Sequence, residues 1–398
     1  MTTEATAGLR PFTIAVSQEA LDDLHERLRR TRFPDEIPGS GWTYGTNLAY
    51  LRELVEYWLN RYDWRLAEAQ LNALPQFMAN VGGLELHFVH VRGKGSNPAP
   101  LLISHGWPGS FYEMMDVIGP LSDPAAHGGD PADAFDVVVP SLPGYGFSEH
   151  PKAPGMTPQA IGELFVQLMN RTLGYRRYFV QGGDWGAVIT AAMAYQQPRQ
   201  VTGLHLNMLG VRPYTGAGTP PLSEEEQAFM AEAEQWRLEE TGYQWIQGTR
   251  PQTLAYGLTD SPAGLAAWIV EKFRAWSDCG GDVERSFTKD QLLTNVMIYW
   301  ISGCINSSTR LYYESRHNPW RLNPGERIEV PTGYAAFPHE LTRPPRSWAE
   351  RALNLQRWTP MPRGGHFAAM EEPALLVEDI RAFFRPLRAA LTNQSQTG

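Results

Sequence analysis

The chain has 398 residues, of which 42% are hydrophobic and 19% charged, and a formal net charge of −9 with no basic run. This is an ordinary globular chain with an ample core, and the acidic balance argues against a nucleic-acid partner. Two cysteines, Cys279 and Cys304, give no disulfide framework and fit a reducing compartment, and MTTEATAGLRPF carries no apolar run for a signal peptide or anchor, so a cytoplasmic protein with no membrane partner is expected.

Residues 1–82 read as a helical extension. Ser17 is a good N-cap for a helix carrying Leu21, Leu24 and Leu28 on one face. After Asn47, the set Leu51, Leu54, Val55, Trp58 and Leu59 has helical spacing, and a third helix is expected over 63–74, stopping at Pro75. No chemical group stands out there, so a packing appendage wrapped on the core is expected. A core begins at Gly83. Leu84, Leu86 and Phe88 alternate as in a half-buried strand, and Leu101-Leu102-Ile103 and Val137-Val138-Val139 suit central parallel strands. Helices near 111–121, 158–173 and 186–197 alternate with them.

The first part of the core spans 83–210. The Pro/Gly-rich segment 211–224 then opens a helical, aromatic-rich cap over 211–330. The second part of the core, 331–398, brings strands at 332–337 and 358–361 and a last helix around 373–390. This order gives an α/β fold: a mostly parallel, doubly wound sheet with an inserted helical cap.

Asp184 lies in Tyr178-Phe179-Val180-Gln181-Gly182-Gly183-Asp184-Trp185-Gly186, an apolar strand running through small residues into a helix. This is a nucleophile elbow, which needs small residues at Gly182 and Gly186. A serine there makes acyl-enzymes, whereas a carboxylate attacks an electrophilic sp³ carbon and leaves an alkyl ester. The substrate class is therefore a carbon-borne leaving group, such as an epoxide or a haloalkane.

An elbow predicts partners in the order nucleophile, acid, histidine. Among ten histidines, His366 in Arg363-Gly364-Gly365-His366-Phe367 is the one in a late strand-to-helix loop. Glu340 follows the strand at 332–337. Its rivals Asp260, Asp278, Asp282 and Asp290 fall in the cap, and Glu350 in a probable helix. The turn His105-Gly106-Trp107-Pro108-Gly109-Ser110 should supply one oxyanion donor, the Trp107 amide, and the residue after the nucleophile supplies the other, the Trp185 amide. Trp107-Pro108 in this tight turn is expected to be cis. The turn in Ser141-Leu142-Pro143-Gly144-Tyr145-Gly146-Phe147-Ser148 reads as architectural.

Assembled, these residues resemble the microsomal-type epoxide hydrolases of the α/β-hydrolase fold over nearly the whole chain. HGWPGSFYEM, PSLPGYGFS, QGGDWG, AAFPHEL and RGGHFAAMEEP are similar to that family's core motifs, and GYQWIQGTRPQTLAYG and LLTNVMIYWISG to its cap. The resemblance implies Asp184 as nucleophile, His366 as base and Glu340 as acid. It further implies two cap tyrosines on the epoxide oxygen, Tyr243 and Tyr312, with Tyr313 beside the latter as the other candidate. Trp107, Trp185, Tyr243 and Tyr312 are the expected substrate contacts.

A phenol, with pKa about 10, can donate to a developing alkoxide while staying protonated. No metal or cofactor is expected, and the substrate is expected to be a small, apolar to aromatic epoxide in detoxification or aromatic hydrocarbon catabolism. A homodimer is compatible with the sequence. Two rival readings share parts of this pattern. A haloalkane dehalogenase would use the same aspartate without needing the tyrosines, and a non-catalytic relative binding a hydrophobic ligand would have lost one of the three residues.

Overall fold

The computed structural model describes residues 8–392; residues 1–7 and 393–398, the two ends of the expected extension and second core part, lie outside them. Nine strands form one sheet: β1 (Arg10–Phe12), β2 (Gln76–Val81), β3 (Leu84–Val91), β4 (Ala99–Ser104), β5 (Phe135–Pro140), β6 (Tyr178–Gly182), β7 (Val201–Leu206), β8 (Ile328–Ala336) and β9 (Leu353–Pro360). Their order is β1-β2-β3-β5-β4-β6-β7-β8-β9. From β5 to β9 every pair is parallel, and β1, β2 and β3 add an antiparallel edge. The middle strands are buried throughout, as strands covered by helices on both faces must be.

The extension is not only helical, which corrects the boundary expected at residue 82. β1 and β2 pair with each other, and β2 continues onto β3, so the sheet begins inside that segment. β2 was hidden because Gln76-Phe77-Met78-Ala79-Asn80-Val81 mixes polar and apolar residues without clean alternation. β7 (VTGLHL) was not anticipated either: Thr202, Gly203 and His205 interrupt its apolar pattern, yet all six residues are buried. Its His205 reaches Asp379 at 3.0 Å, which satisfies the polar ring inside the core. β8 starts at Ile328, three residues inside the segment expected for the cap.

The three extension helices form as their sequences dictate, over Gln18–Arg29, Leu48–Asn60 and Trp64–Asn72. The side chains of Ser17, Asn47 and Asp63 each accept a first-turn amide, satisfying donors that a helix start leaves free. These helices lie against the cap as well as the core. Arg27 donates to the carbonyl and carboxylate of Asp260, Thr46 to the carbonyl of Ala267, and Tyr62 meets Thr294 at 3.1 Å.

The cap between β7 and β8 is helical, with helices over Glu224–Glu240, Gly242–Thr249, Pro251–Asp260, Pro262–Trp276, Lys289–Ser302 and Ile305–His317. It is fastened over the carboxyl ends of the strands by hydrogen bonds to core turns. Asn295 donates to Pro108 O at 2.8 Å and Tyr299 to Gly109 O at 2.7 Å. Tyr145 donates to Ser308 O and Ser307 to Gly144 O, which gives the Ser141–Ser148 turn its architectural task. Among the described residues, no helix is long and apolar enough to cross a membrane.

Candidate active site

The site sits where ligands bind in open α/β sheets, outside the carboxyl ends of the strands. β6 ends at Gly182 and the helix Asp184–Gln196 starts two residues later. Asp184 turns this corner with φ 48°, the one positive φ at a non-glycine residue among those described. Such strain costs of order 1–3 kcal/mol and survives only where its surroundings enforce it. The enforcement is steric. A Cβ on Gly182 would lie 2.3 Å from Gly186 O, one on Gly186 2.0 Å from Ser104 O, and one on Gly106 2.0 Å from Asp184 Oδ1. The elbow and the turn after β4 thus interlock with no room for side chains.

The Trp107 amide donates to Asp184 Oδ1 at 2.7 Å, from a turn whose Trp107-Pro108 bond is cis. Trp185 is the second residue of the helix, so its amide is among the first-turn donors without a partner inside the helix. The helix N-terminus also favours negative charge at this spot.

His366 and Glu340 arrive from the loops after β9 and β8. A backbone bond from His339 N to Gly364 O, at 3.1 Å, ties the two loops together. Glu340 Oε1 lies 2.6 Å from His366 Nδ1 and also accepts the Leu341 amide. His366 Nε2 in turn faces Asp184 Oδ2 at 3.3 Å. Burial opposes a charge on His366, but the Glu340 and Asp184 carboxylates outweigh it and hold the imidazole well above its ordinary pKa.

The rival acids are engaged elsewhere. Asp260 holds Arg27, Asp282 caps a short turn, Asp290 accepts the Tyr57 hydroxyl, and Glu350 pairs with Arg346. Asp278 comes nearest: it accepts the Gly364 amide at 3.0 Å and so braces the histidine loop.

Tyr243, in the first turn of Gly242–Thr249, and Tyr312, in Ile305–His317, hang from the cap above Asp184. Tyr243 stacks on Trp107 with centroids 5.4 Å apart; Tyr312 meets Trp185 edge-on at 4.8 Å; and the two phenol rings are 5.8 Å from each other. Tyr312 is 7% exposed, whereas Tyr313 is 37% exposed and stacks on His317, so of the doublet it is Tyr312 that lies against Trp107 and Trp185. Burial first, and the charge of Asp184 besides, push both phenols above their ordinary pKa. Both are therefore hydroxyl donors at any ordinary pH. Lys272 lies over the Tyr243 ring at 4.7 Å.

Two residues that bear on the site had escaped the sequence reading. Trp276 meets His366 edge-on at 5.2 Å, tilts against Tyr243, and accepts the His366 amide through its carbonyl. Glu113, four residues beyond Gly109, is buried beside Asp184 and His366. On the cap side a cavity of about 500 Å³ runs to Asp184 between Trp185, Tyr243, Tyr312, Phe229 and Leu341.

Asp184 can thus attack carbon, two neutral phenols can receive a leaving oxygen, and a histidine braced by a carboxylate can activate water. Comparison with known proteins agrees. Residues 9–114 match the family model of the epoxide hydrolase N terminus, and residues 99–268 that of the α/β-hydrolase fold. Epoxide hydrolase 1 of Oryctolagus cuniculus is 39% identical over 408 residues, spanning 94% of this chain and 88% of that one. The crystal structure of juvenile hormone epoxide hydrolase from Bombyx mori superposes with a TM-score of 0.86 at 34% identity, covering 96% of this chain and 95% of that one. The Aspergillus niger epoxide hydrolase structure gives 0.84 at 30% identity, covering 97% and 98%. The chain belongs to the epoxide hydrolase family, on the α/β-hydrolase fold.

Proposed function

We propose that this chain converts epoxides and water to vicinal diols through an ester on Asp184, with Tyr243 and Tyr312 on the epoxide oxygen and His366, set by Glu340, as base. The observation that carries this reading is the division of the Asp184 carboxylate. Oδ1 is held by the Trp107 amide, and Oδ2, beside His366, is the oxygen to attack. Oδ2 bonds to an epoxide carbon as the ring C–O bond breaks. The new alkoxide receives hydrogen bonds from the two phenols and ends as a hydroxyl.

Over this first step the proton balance closes on His366. In the resting enzyme the imidazolium sits between two carboxylates, and esterification removes the charge of one of them. The histidine then releases its proton, the counterpart of the one taken up by the alkoxide. As a neutral base it takes a proton from water, and the oxygen of that water attacks the ester carbonyl carbon. The tetrahedral oxyanion forms on Oδ1, which the Trp107 amide already holds, with the Trp185 amide as the second donor of the elbow, and loss of one such donor typically costs about 10²–10³ in rate. Collapse breaks the bond from the carbonyl carbon to Oδ2; the departing alkoxide takes the second proton of the water, which frees the diol and leaves Asp184 a carboxylate beside the His366 imidazolium.

The cavity lining of Trp, Phe and Leu supports an apolar to aromatic epoxide as substrate. Cys279 and Cys304, both buried free thiols, support a reducing, cytoplasmic setting. The halide reading has one observation in its favour: the indole nitrogens of Trp107 and Trp185 are buried without a hydrogen-bond partner among the described residues. Assaying diol from styrene oxide alongside halide from a haloalkane of similar size discriminates, with diol formation dominant expected. A single turnover in heavy-oxygen water tests the ester directly. Label should enter Asp184 first and diol only in later turnovers; label in the first diol would mean direct attack by water.

A further inference from the structure

Asp184 separates two cavities that have little else in common. The cap-side cavity is large and mostly apolar. On the opposite side lies a chamber of about 20 Å³, whose polar wall is His105, Glu113, Gln181, Asp184, Asn207 and His366. A single water needs roughly 10–15 Å³ of such space and two to four polar partners. The chamber therefore has room for one water, and its polar wall offers those partners. We propose that Glu113 is a positioning residue which holds the hydrolytic water in this chamber, behind the ester, so that the two half-reactions are served from opposite faces of one carboxylate. This rests on the reading of Asp184 as the residue that carries the ester.

The geometry around Glu113 is specific. It sits on the short turn Phe111–Met114, and its carboxyl fills the space that a side chain at position 109 would take: a Cβ on Gly109 would lie 1.5 Å from Glu113 Oε1. No Lys or Arg forms an ion pair with it among the described residues. The titratable groups around it are Asp184, His366, Tyr299 and His105, the last kept neutral by burial and the Tyr299 phenol raised by it. An unpaired buried carboxylate is costly, and burial together with the Asp184 charge pushes this carboxyl up to about 8, against the pull of His366 and the Gly106 amide. At neutral pH it is a neutral acid, with one O–H to donate and one carbonyl oxygen to accept, which matches a water.

A second observation points the same way. Gln181 donates through Nε2 to Asn207 at 2.9 Å, and its Oε1 is a buried acceptor with no partner among the described residues. Water gripped by Glu113 and Gln181, with His366 to take its proton, would stand beside the ester carbonyl carbon on the face away from the departing diol.

Rapid-quench kinetics with styrene oxide, read by mass spectrometry of the esterified protein, separates the two steps. Glu113→Met, which keeps the length of the side chain but neither donates nor accepts strongly, should form the ester at close to the wild-type rate and hydrolyse it about 10²-fold more slowly, the usual consequence of a reactant displaced by an ångström. Ester should accumulate, and KM should fall together with kcat. Glu113→Asp should restore part of the hydrolysis rate. Ala369→Leu fills the chamber from its apolar wall without touching the acid, and it should give the same split even if Glu113→Met fails to fold.

Unchanged ester hydrolysis in a folded Glu113 variant overturns the proposal. So does an equal loss in both steps, with Glu113→Asp no better than Glu113→Met. Absence of ester in the wild type would instead overturn the reading of Asp184, which keeps the two failures apart.

Discussion

The cap side and the sheet side of Asp184 are built from opposite materials. Toward the cap, Trp107, Trp185, Tyr243 and Tyr312 make an aromatic wall with two hydroxyl donors in it. Toward the sheet, His366, Glu340 and Glu113 crowd three titratable groups into a closed, polar space. The contrast follows the chemistry. Epoxide binding is a matter of apolar area and one oxygen, whereas ester hydrolysis needs a base, its orienting acid and a held water. On the proposed route one carboxylate serves both because its atoms do different work: Oδ2 attacks the epoxide, and the carbonyl carbon then takes the water while Oδ1 stays on the Trp107 amide.

Substitutions on each side should fail in different ways. Removing the shared group has the largest effect: Asp184→Ala should lose at least about 10⁴ in diol formation and show no esterified protein, a loss of the size nucleophile deletions give. His366→Gln strikes the sheet side alone. Ester should build up to one per chain while hydrolysis falls by about 10²–10⁴, and normal turnover in this variant would strip His366 of the role of base. Tyr243→Phe and Tyr312→Phe strike the cap side alone. Each should slow esterification by about 10²–10³ and leave hydrolysis of preformed ester untouched. If ester hydrolysis fell instead, the division between the two sides would be wrong.

The smallest effects are on stability and come from pH. The native Glu113 carboxyl keeps its proton up to about 8, while the unfolded one loses it in the ordinary range. The folded state thus binds more protons between those values, and stability falls as pH rises through the window. Glu113→Gln should therefore gain stability over wild type from about pH 5 to 8, levelling off above, by about 2–4 kcal/mol before relaxation is allowed for. Urea midpoints across that range check it; a gain independent of pH would refute it. His366, raised by its carboxylate partners, has the matching sign for a base. Its contribution is fully present below the ordinary histidine range and is lost as pH climbs through the raised native value. The stability lost in His366→Gln should accordingly be larger at pH 5.5 than at pH 9.

Much of this was legible in the sequence because local rules carried it. The elbow's glycines are required by contacts of about 2 Å, and the runs Leu101–Ile103 and Val137–Val139 could only be covered strands. Glu340 and His366 followed from chain order, and the tyrosines from resemblance. What stayed hidden depended on distant partners. Adjacent residues on a helix point about 100° apart, so Tyr312 and Tyr313 could not be told from each other until the helix was docked. β7 carries a histidine that is tolerable in the core only because Asp379 waits on the far helix. Glu113 carried no signal within the helix expected near 111–121, and its burial follows from Gly109 leaving a gap for it.

The bracing of the cap by the N-terminal extension bears on traffic in and out of the enzyme. Contacts such as Arg27 to Asp260 and Thr46 to Ala267 pin the helices farthest from the sheet, and Asn295 and Tyr299 pin another to the turn after β4. A cap fastened on both flanks does not swing as a lid. The exception is the helix Glu224–Glu240, which buries only Glu226 yet contributes Phe229, Met230 and Trp236 to the cavity wall. Segments with so little burial open at the lowest free energy. This helix is the part of the cap expected to yield first, so entry of bulky epoxides and exit of diols should be tuned by its side chains, independently of the chemistry on either face of Asp184.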